Sequence, residues 1–154
     1  SIPVLTLTNA NGFKACQCSE KNLAKALARM VYAFANATTA KVNLITDEAY
    51  GSAYVAMNSK SIGADLVYAW KDAKIGTMEP KLAAKIMYPE AGADELSEKA
   101  AEYAAKQSSA SAAAGRGYVD LIIEPADTRK YLIAAFEMLY SKYVGEPDKK
   151  HGTK

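Results

Sequence analysis

Tyr50-Gly51-Ser52-Ala53-Tyr54 stands between an apolar run that reads as a strand, residues 42–46, and an apolar stretch that reads as a helix, residues 55–57. A strand that enters a helix through small residues leaves several backbone N–H groups uncovered by side chains. They converge on one spot near the positive end of the helix. Donors fixed in advance in this way stabilise negative charge as it develops on a carbonyl oxygen, which is how an oxyanion hole is built. Small residues after a strand also let a helix pack tightly on a sheet. From the pentapeptide alone, close packing is the commoner reason for them.

Outward from that corner, residues 2–8 carry Ile2, Val4, Leu5 and Leu7 and read as a buried strand. Asn9-Ala10-Asn11-Gly12-Phe13 then reads as a strand-end turn that can expose further N–H groups, although a plain tight turn explains the same residues. Ser19 predicts an N-cap with Glu20 in the first turn. Leu23, Leu27, Met30, Val31 and Phe34 recur at helical spacing, so residues 20–37 are expected to form an amphipathic helix with this stripe in the core. Residues 41–46 are the strand that delivers the chain to the corner, and the helix after it is expected to run to Ser59, with Gly63 as a stop signal.

Residues 65–70 read as a strand and 74–77 as a short one. Pro80 suits the first turn of a helix that turns Leu82, Ile86 and Met87 inward and is closed by Pro89. Asp94 predicts the cap of one long helix, rich in Ala and Ser, that ends at Gly115. Its few large apolar residues, and the spacings Glu95–Lys99 and Glu102–Lys106, suit a face exposed to solvent or packed on another subunit. Residues 118–123 form a further strand. Pro125 opens a last helix with a stripe of Tyr131, Leu132, Ala135, Phe136, Leu139 and Tyr143, ended by Gly145. The domain is therefore expected over 1–144, and the polar residues 145–154 as a disordered tail. Strands alternating with crossover helices imply an α/β layered fold. Glycine-rich turns at strand ends are where such folds place ligands.

Composition removes several functions. The 154 residues fit one domain or part of a larger one, and at 50% apolar they can build a core. A formal charge of +2 with scattered Lys and Arg gives no basic face for nucleic acid. No apolar run reaches membrane-spanning length and no signal peptide is visible. Cys16 and Cys18 are too close for an easy disulfide and lack a second pair to complete a zinc site. Two reduced thiols are expected, in a cytoplasmic protein without a metal. The one histidine, His151, lies in the polar tail, which excludes a Ser-His-Asp triad, a Cys-His pair and a His-rich metal site. Backbone groups, or another chain, must carry any chemistry. There is no dinucleotide fingerprint, no phosphate loop and no internal repeat. The chain opens on Ser1-Ile2-Pro3, which predicts a piece cut from a longer protein.

Five segments, in order, resemble the C-terminal domain of the carboxyltransferase component of biotin-dependent acyl-CoA carboxylases and decarboxylases. Residues 2–7, Ile-Pro-Val-Leu-Thr-Leu, with Asn11-Gly12-Phe13 look like the family's strand and Asp-Thr-Pro-Gly-Phe turn. Ala49-Tyr50-Gly51-Ser52-Ala53-Tyr54 looks like its Ala-Tyr-Gly-Gly-Ala-Tyr turn. Gly63-Ala64-Asp65 with Tyr68-Ala69-Trp70 looks like the next strand. Arg116-Gly117-Tyr118-Val119-Asp120, then Ile123-Glu124-Pro125 and Thr128-Arg129, look like the closing segments. The resemblance implies a crotonase-like fold of ββα units in a superhelix, of which this chain is a partial, C-terminal piece. It implies that the N-terminal domain of such a protein holds acyl-CoA, that the C-terminal domain receives carboxybiotin from a biotin carboxyl carrier protein, and that active sites form between subunits of a homo-oligomer. The backbone N–H groups of Ser52 and Ala53 would hold the biotin ureido oxygen. Gly51, Tyr54, Gly12 and Phe13 would line the biotin site, and Val55 the acyl pocket. Propionyl-, methylmalonyl- or acetyl-CoA would be the acyl partner.

Departures from the family pattern bear on these expectations. The residues before Gly12 are Asn9, Ala10 and Asn11 rather than Asp, Thr and Pro. Ser52 replaces the second Gly, Val55 stands where an acid is frequent, and Met78-Glu79 replaces Met-Gly. Three alternatives accompany the main reading: the decarboxylase component of a biotin-dependent sodium pump, a hydrolase with Ser52 as nucleophile, and a non-catalytic dimerisation module when the chain is isolated. The hydrolase has little support, since no histidine lies in the folded part.

Overall fold

The computed structural model describes residues 2–145. The expected tail over 146–154, with His151, lies outside the described residues.

A parallel sheet organises the chain around its longest strand. Strand β1 (Val4–Ala10) is followed by helix α1 (Gln17–Asn36), and β2 (Lys41–Tyr50) by the short α2 (Gly51–Ala56) and a 3-10 turn at Lys60–Ile62. Next come β3 (Leu66–Trp70), β4 (Lys74–Gly76), α3 (Pro80–Met87), α4 (Ala93–Gln107) and α5 (Ala110–Gly115). Strand β5 (Leu121–Ile123), a 3-10 turn at Pro125–Asp127 and α6 (Thr128–Met138) complete the order. The strand order is β1-β2-β3-β5, and β4 pairs the far end of β2. All pairings are parallel: Thr6 lies opposite Asn43, Leu44 opposite Tyr68, and Tyr50 opposite Gly76.

Alternation along the strands assigns the two faces. Ile45, Ala49, Val67, Ala69 and Ile75 point to one core, which Ala110, Ala113 and Val119 close. Val42, Leu44, Tyr68 and Ile123 point to the other, covered by Ala135 with Tyr131, Leu132, Phe136 and Leu139 from α6 and just beyond. The first half of β2, residues 41–45, is buried on both faces, whereas Thr46, Asp47 and Glu48 are not. Within the buried half Asn43 is fully buried, and its Oδ1 accepts from Thr6 Oγ1 at 3.0 Å and Thr8 Oγ1 at 2.7 Å. Asn58, at a left-handed φ of 54°, donates through Nδ2 to Thr6 Oγ1. It thereby ties the chain after α2 back onto β1. At the other end of the domain, Lys142 Nζ lies 2.8 Å from Asp65 Oδ1, and Asp65 Oδ2 accepts from the Lys41 amide.

Several expectations are corrected. The β2 strand runs to Tyr50 rather than residue 46, and α2 begins at Gly51, so the glycine corner is itself the first turn of a helix. Helix α1 starts at Gln17 with Cys16 at the N-cap in place of Ser19; Ser19 Oγ sits 3.2 Å from Cys16 Sγ instead. The stripe Leu23, Leu27, Met30, Val31, Phe34 is only half-buried, and no residue of α1 is fully buried. In α3 the inward residues are Ala83 and Ala84, while Leu82, Ile86 and Met87 are exposed. Periodicity correctly marks an apolar face, but burial also needs a surface to receive it.

The expected long helix is two. It breaks at Ser108, whose carbonyl accepts from the Ile75 amide at 2.8 Å, and Ser109 caps α5 by accepting from the Ala112 amide. Gly92 occupies the N-cap of α4, with Asp94 in its first turn. Glu102 pairs with Lys106 as expected, but Lys99 turns to Glu102 rather than Glu95. Helix α6 ends at Met138, and Tyr143 is 90% exposed.

These half-covered faces carry a prediction. Ile2, Leu7, Leu82, Ile86, Met87, Ile133 and Met138 leave apolar surface that an isolated chain must hide. The isolated chain is expected to self-associate in light scattering and to enhance the fluorescence of an apolar-patch dye. A strictly monomeric, dye-silent chain contradicts this.

Candidate active site

Strand β2 carries the chain to the corner, and the corner's shape follows from what β4 brings beside it. Because Tyr50 is paired with Gly76, the Thr77 carbonyl lies against Gly51. Gly51 adopts a φ of +62°, and a Cβ added there would stand 3.3 Å from the Thr77 oxygen. Glycine is therefore favoured by the backbone, and the neighbour adds a tight contact for any side chain.

Tyr50 is the N-cap of α2 and makes no side-chain capping bond. The amides of Ser52 and Ala53 fall in the first turn, before intrahelical bonding begins. Neither donates to a turn, loop or capping carbonyl among the described residues. Ser52 is exposed and Ala53 buried, so the pair sits at the boundary between interior and solvent. With six residues, α2 is too short to supply much of a dipole, and the N–H groups themselves are the electrostatic feature.

Two cavities meet at this corner. One, of about 230 Å³, is lined by Asn11, Gly12, Phe13, Tyr50, Gly51, Ser52, Ala53, Thr77, Met78, Glu79 and Leu82. The other, of about 430 Å³, is lined by Gly51, Ser52, Tyr54, Val55, Ser61, Gly76, Thr77 and Tyr118. The structure thus brings Gly12 and Phe13 to Gly51, Ser52 and Ala53, although they lie some forty residues apart in the chain. Tyr54, expected with Gly12 and Phe13, lies instead in the second cavity beside Val55. Thr77, Glu79 and Tyr118 also line the site, although the sequence reading named none of them as a site residue. Thr77 escapes because its relevant atom is a carbonyl oxygen, which no side-chain pattern marks.

Burial, and next the charge of Tyr118, push the Tyr54 phenol up to about 12. Tyr50 is likewise pushed up to about 12, by burial first and then by Glu48, Glu79 and Asp47. Both are neutral at physiological pH. Cys16 is held below the usual thiol value by its contact with Ser19, and both cysteines are free. Among the described residues no group of three metal-ligating side chains occurs, and no helix is long and apolar enough to cross a membrane. The corner thus sets first-turn amides, and no ionisable catalytic side chain of its own, beside a partly closed cleft.

A protein-family model described as the carboxyl transferase domain matches residues 1–153. The chain belongs to the carboxyl transferase domain family. This carboxyl transferase domain is 42% identical to a propionyl-CoA carboxylase carboxyltransferase subunit of Haloferax mediterranei, covering 99% of this chain and 31% of that protein. It is 40% identical to the methylmalonyl-CoA decarboxylase subunit alpha of Propionigenium modestum, again covering 99% and 31%. Among solved structures it matches a transcarboxylase 12S crystal structure, described as a hexamer assembly with methylmalonyl-coenzyme A and methylmalonic acid bound. That match has a TM-score of 0.92 and 37% identity and covers 98% of this chain and 30% of that one. The expected fold is borne out: the carboxyl transferase domain has the α/β architecture of the crotonase-like carboxyltransferases. The chain spans about three tenths of the length of the curated relatives it matches.

Two predictions test the corner. Gly51→Ala should destabilise the domain by about 1–3 kcal/mol in denaturant titration, since it forces a side chain into the left-handed region against a carbonyl. Tyr54 remains protonated in the folded chain up to about pH 12, while its unfolded value is 10.0. Between these values the unfolded chain holds fewer protons, so stability falls as pH rises through the window. Tyr54→Phe should make that alkaline decline shallower, as read from melting temperatures across pH 9–12.

Proposed function

We propose that the protein to which this chain belongs is a biotin-dependent acyl-CoA carboxyltransferase, and that this part forms the biotin-side wall of its active site. The observation that carries the reading is the place of the Ser52 and Ala53 amides, in the first turn of α2 where two cavities meet. The donor set fits biotin's ureido group, whose oxygen accepts and needs no charged partner. Gly51 removes steric obstruction, Phe13 and Leu82 supply apolar walls in the smaller cavity, and Tyr54 and Val55 do so in the larger.

Biotin, when bound, supplies the carboxyl group and a nitrogen that takes up the α-proton of the acyl chain. The chain's own part is electrostatic. The Ser52 and Ala53 amides donate to the ureido oxygen and are already oriented when charge builds there, so no solvent has to reorganise. Exclusion of water by the cavity walls strengthens those bonds. This accounts for a site without histidine: no side chain on this part needs to gain or lose a proton.

The smaller cavity is assigned to biotin and the larger, with Val55, to a short acyl group of propionyl-, methylmalonyl- or acetyl-CoA. The partners are a biotin carboxyl carrier protein, acyl-CoA and further carboxyltransferase subunits of a homo-oligomer, in the cytoplasm, which the two free thiols support. The sodium-pump alternative ranks below this reading: the carboxylase subunit resembles the chain more closely than does the decarboxylase subunit.

Ser52 provides the test. In the full-length protein, assayed for carboxyl transfer from carboxybiotin to propionyl-CoA or acetyl-CoA, Ser52→Gly should retain most activity because it keeps the amide. Ser52→Pro removes the N–H and places a ring carbon where its hydrogen was, at a first-turn position where proline is tolerated, and should lower kcat by about 10²–10³; a melting temperature close to that of Ser52→Gly separates this from unfolding. Loss of activity in Ser52→Gly would point to the hydroxyl as nucleophile. Absence of transfer in the unaltered protein with every short acyl-CoA would remove the proposal.

A further inference from the structure

The two cavities at the corner do not end the cleft. A third, of about 250 Å³, adjoins the larger one and shares Tyr54, Gly76, Thr77 and Tyr118 with it. Its remaining wall is Ile75, Tyr103, Gln107, Ala113 and Arg116. Across the linings of all three cavities Arg116 is the only basic side chain, and Glu79, in the smallest, the only acidic one. The cleft is therefore polarised, with the uncovered amides of Ser52 and Ala53 between a carboxylate at one end and a guanidinium at the other.

Arg116 is exposed, and two hydrogen bonds orient its side chain. It follows the end of α5, and its side chain reaches back to the last residue of α4, where Nη1 donates to the Gln107 carbonyl at 2.9 Å and Nη2 to Gln107 Oε1. Gly117, at a φ of +81°, turns the chain immediately afterwards and brings Tyr118 to the boundary between the two cavities. A guanidinium has five N–H donors, and Gln107 takes two of them. No acidic side chain pairs with Arg116 among the described residues. A positioned planar fork with donors to spare, beside the phenols of Tyr103 and Tyr118, matches the bidentate geometry of a carboxylate. The bland role, a cap that satisfies the end of α4, is also met by the two bonds to Gln107. It does not require the guanidinium to line a cavity that opens toward the amide corner.

We propose that Arg116, held by Gln107, forms a carboxylate-binding subsite at the far end of the cleft, which engages the carboxylate carried by a carboxylated short acyl group. The proposal rests on the assignment of the larger cavity to the acyl chain. It gives the site a means of telling the carboxylated thioester from the uncarboxylated one. The same chemistry could come from the N-carboxylate carried by biotin, and the assay below separates the two sources.

The experiment uses the full-length protein and its Arg116→Gln and Arg116→Lys variants. KM is measured for methylmalonyl-CoA, for propionyl-CoA and for the carboxylated biotin donor. In parallel, the melting temperature is measured with and without millimolar methylmalonate, a probe that needs no turnover. In Arg116→Gln, KM for methylmalonyl-CoA should rise at least about tenfold more than KM for propionyl-CoA, with partial recovery in Arg116→Lys. Methylmalonate should raise the melting temperature of the unaltered protein and not that of Arg116→Gln. A selective rise for the biotin donor instead would overturn the acyl assignment and move the same contact to biotin. Equal rises for both thioesters, or a methylmalonate shift of the same size in both proteins, would reduce Arg116 to a helix cap and end the proposal. If the unaltered protein transfers no carboxyl group at all, the carboxyltransferase reading falls, and the methylmalonate shift alone then decides the subsite.

Discussion

The close approach of the Thr77 carbonyl to Gly51 is the contact on which the site depends. It exists because β2 is long enough to pair β3 along its first half and β4 along its last residues, so that Tyr50 meets Gly76 in register. The sheet ladder sets that register, and it brings the Thr77 oxygen within 3.3 Å of where a side chain at residue 51 would begin. A glycine in the left-handed region turns the strand into α2 within one residue, and the next two amides fall in the first turn of that helix. The chemistry proposed for the corner is thus a by-product of strand pairing rather than of any reactive side chain.

Around that corner the domain is packed unevenly. The centre of the sheet is closed on both faces, with Val42, Leu44, Ile45 and Val67 at 1% exposure or less. Helices α1 and α3 carry apolar stripes that find only partial cover. Each Leu, Ile or Met side chain left in water forgoes about 1.5–3 kcal/mol relative to full burial.

Electrostatically, the cleft keeps ionisable groups away from the reacting position. Tyr50 and Tyr54 are pushed toward neutrality by burial. Glu79 and Arg116 stand at opposite ends, and backbone dipoles occupy the middle. Such an arrangement suits a reaction in which a ligand brings its own acid–base group and the protein stabilises charge only as it appears.

Much of this was legible in the chain itself. The apolar runs of β2 and β3, the glycine corner and the turn at Gly12-Phe13 follow from residue types and spacing, because each reflects a local constraint: alternation in strands, positive φ at glycine, a small residue at a turn. The ordered set of family-like segments was legible by resemblance, and the described residues contain no histidine. Sequence alone overstated the burial of α1, misplaced the face of α3, merged α4 with α5, and grouped Tyr54 with Gly12. The deciding factors lay elsewhere in the chain: helix α4, against which α3 packs, the Ile75 amide that donates to the Ser108 carbonyl, and the Tyr118 segment that shares a cavity with Tyr54. Tertiary structure alone decided that residues 12 and 51 share one cavity, that a carbonyl at 77 shapes the turn at 51, and that Arg116 lines the same cleft. The physical reason is that these are through-space contacts of backbone and cavity walls, and a linear pattern records which groups are present but not which of them meet.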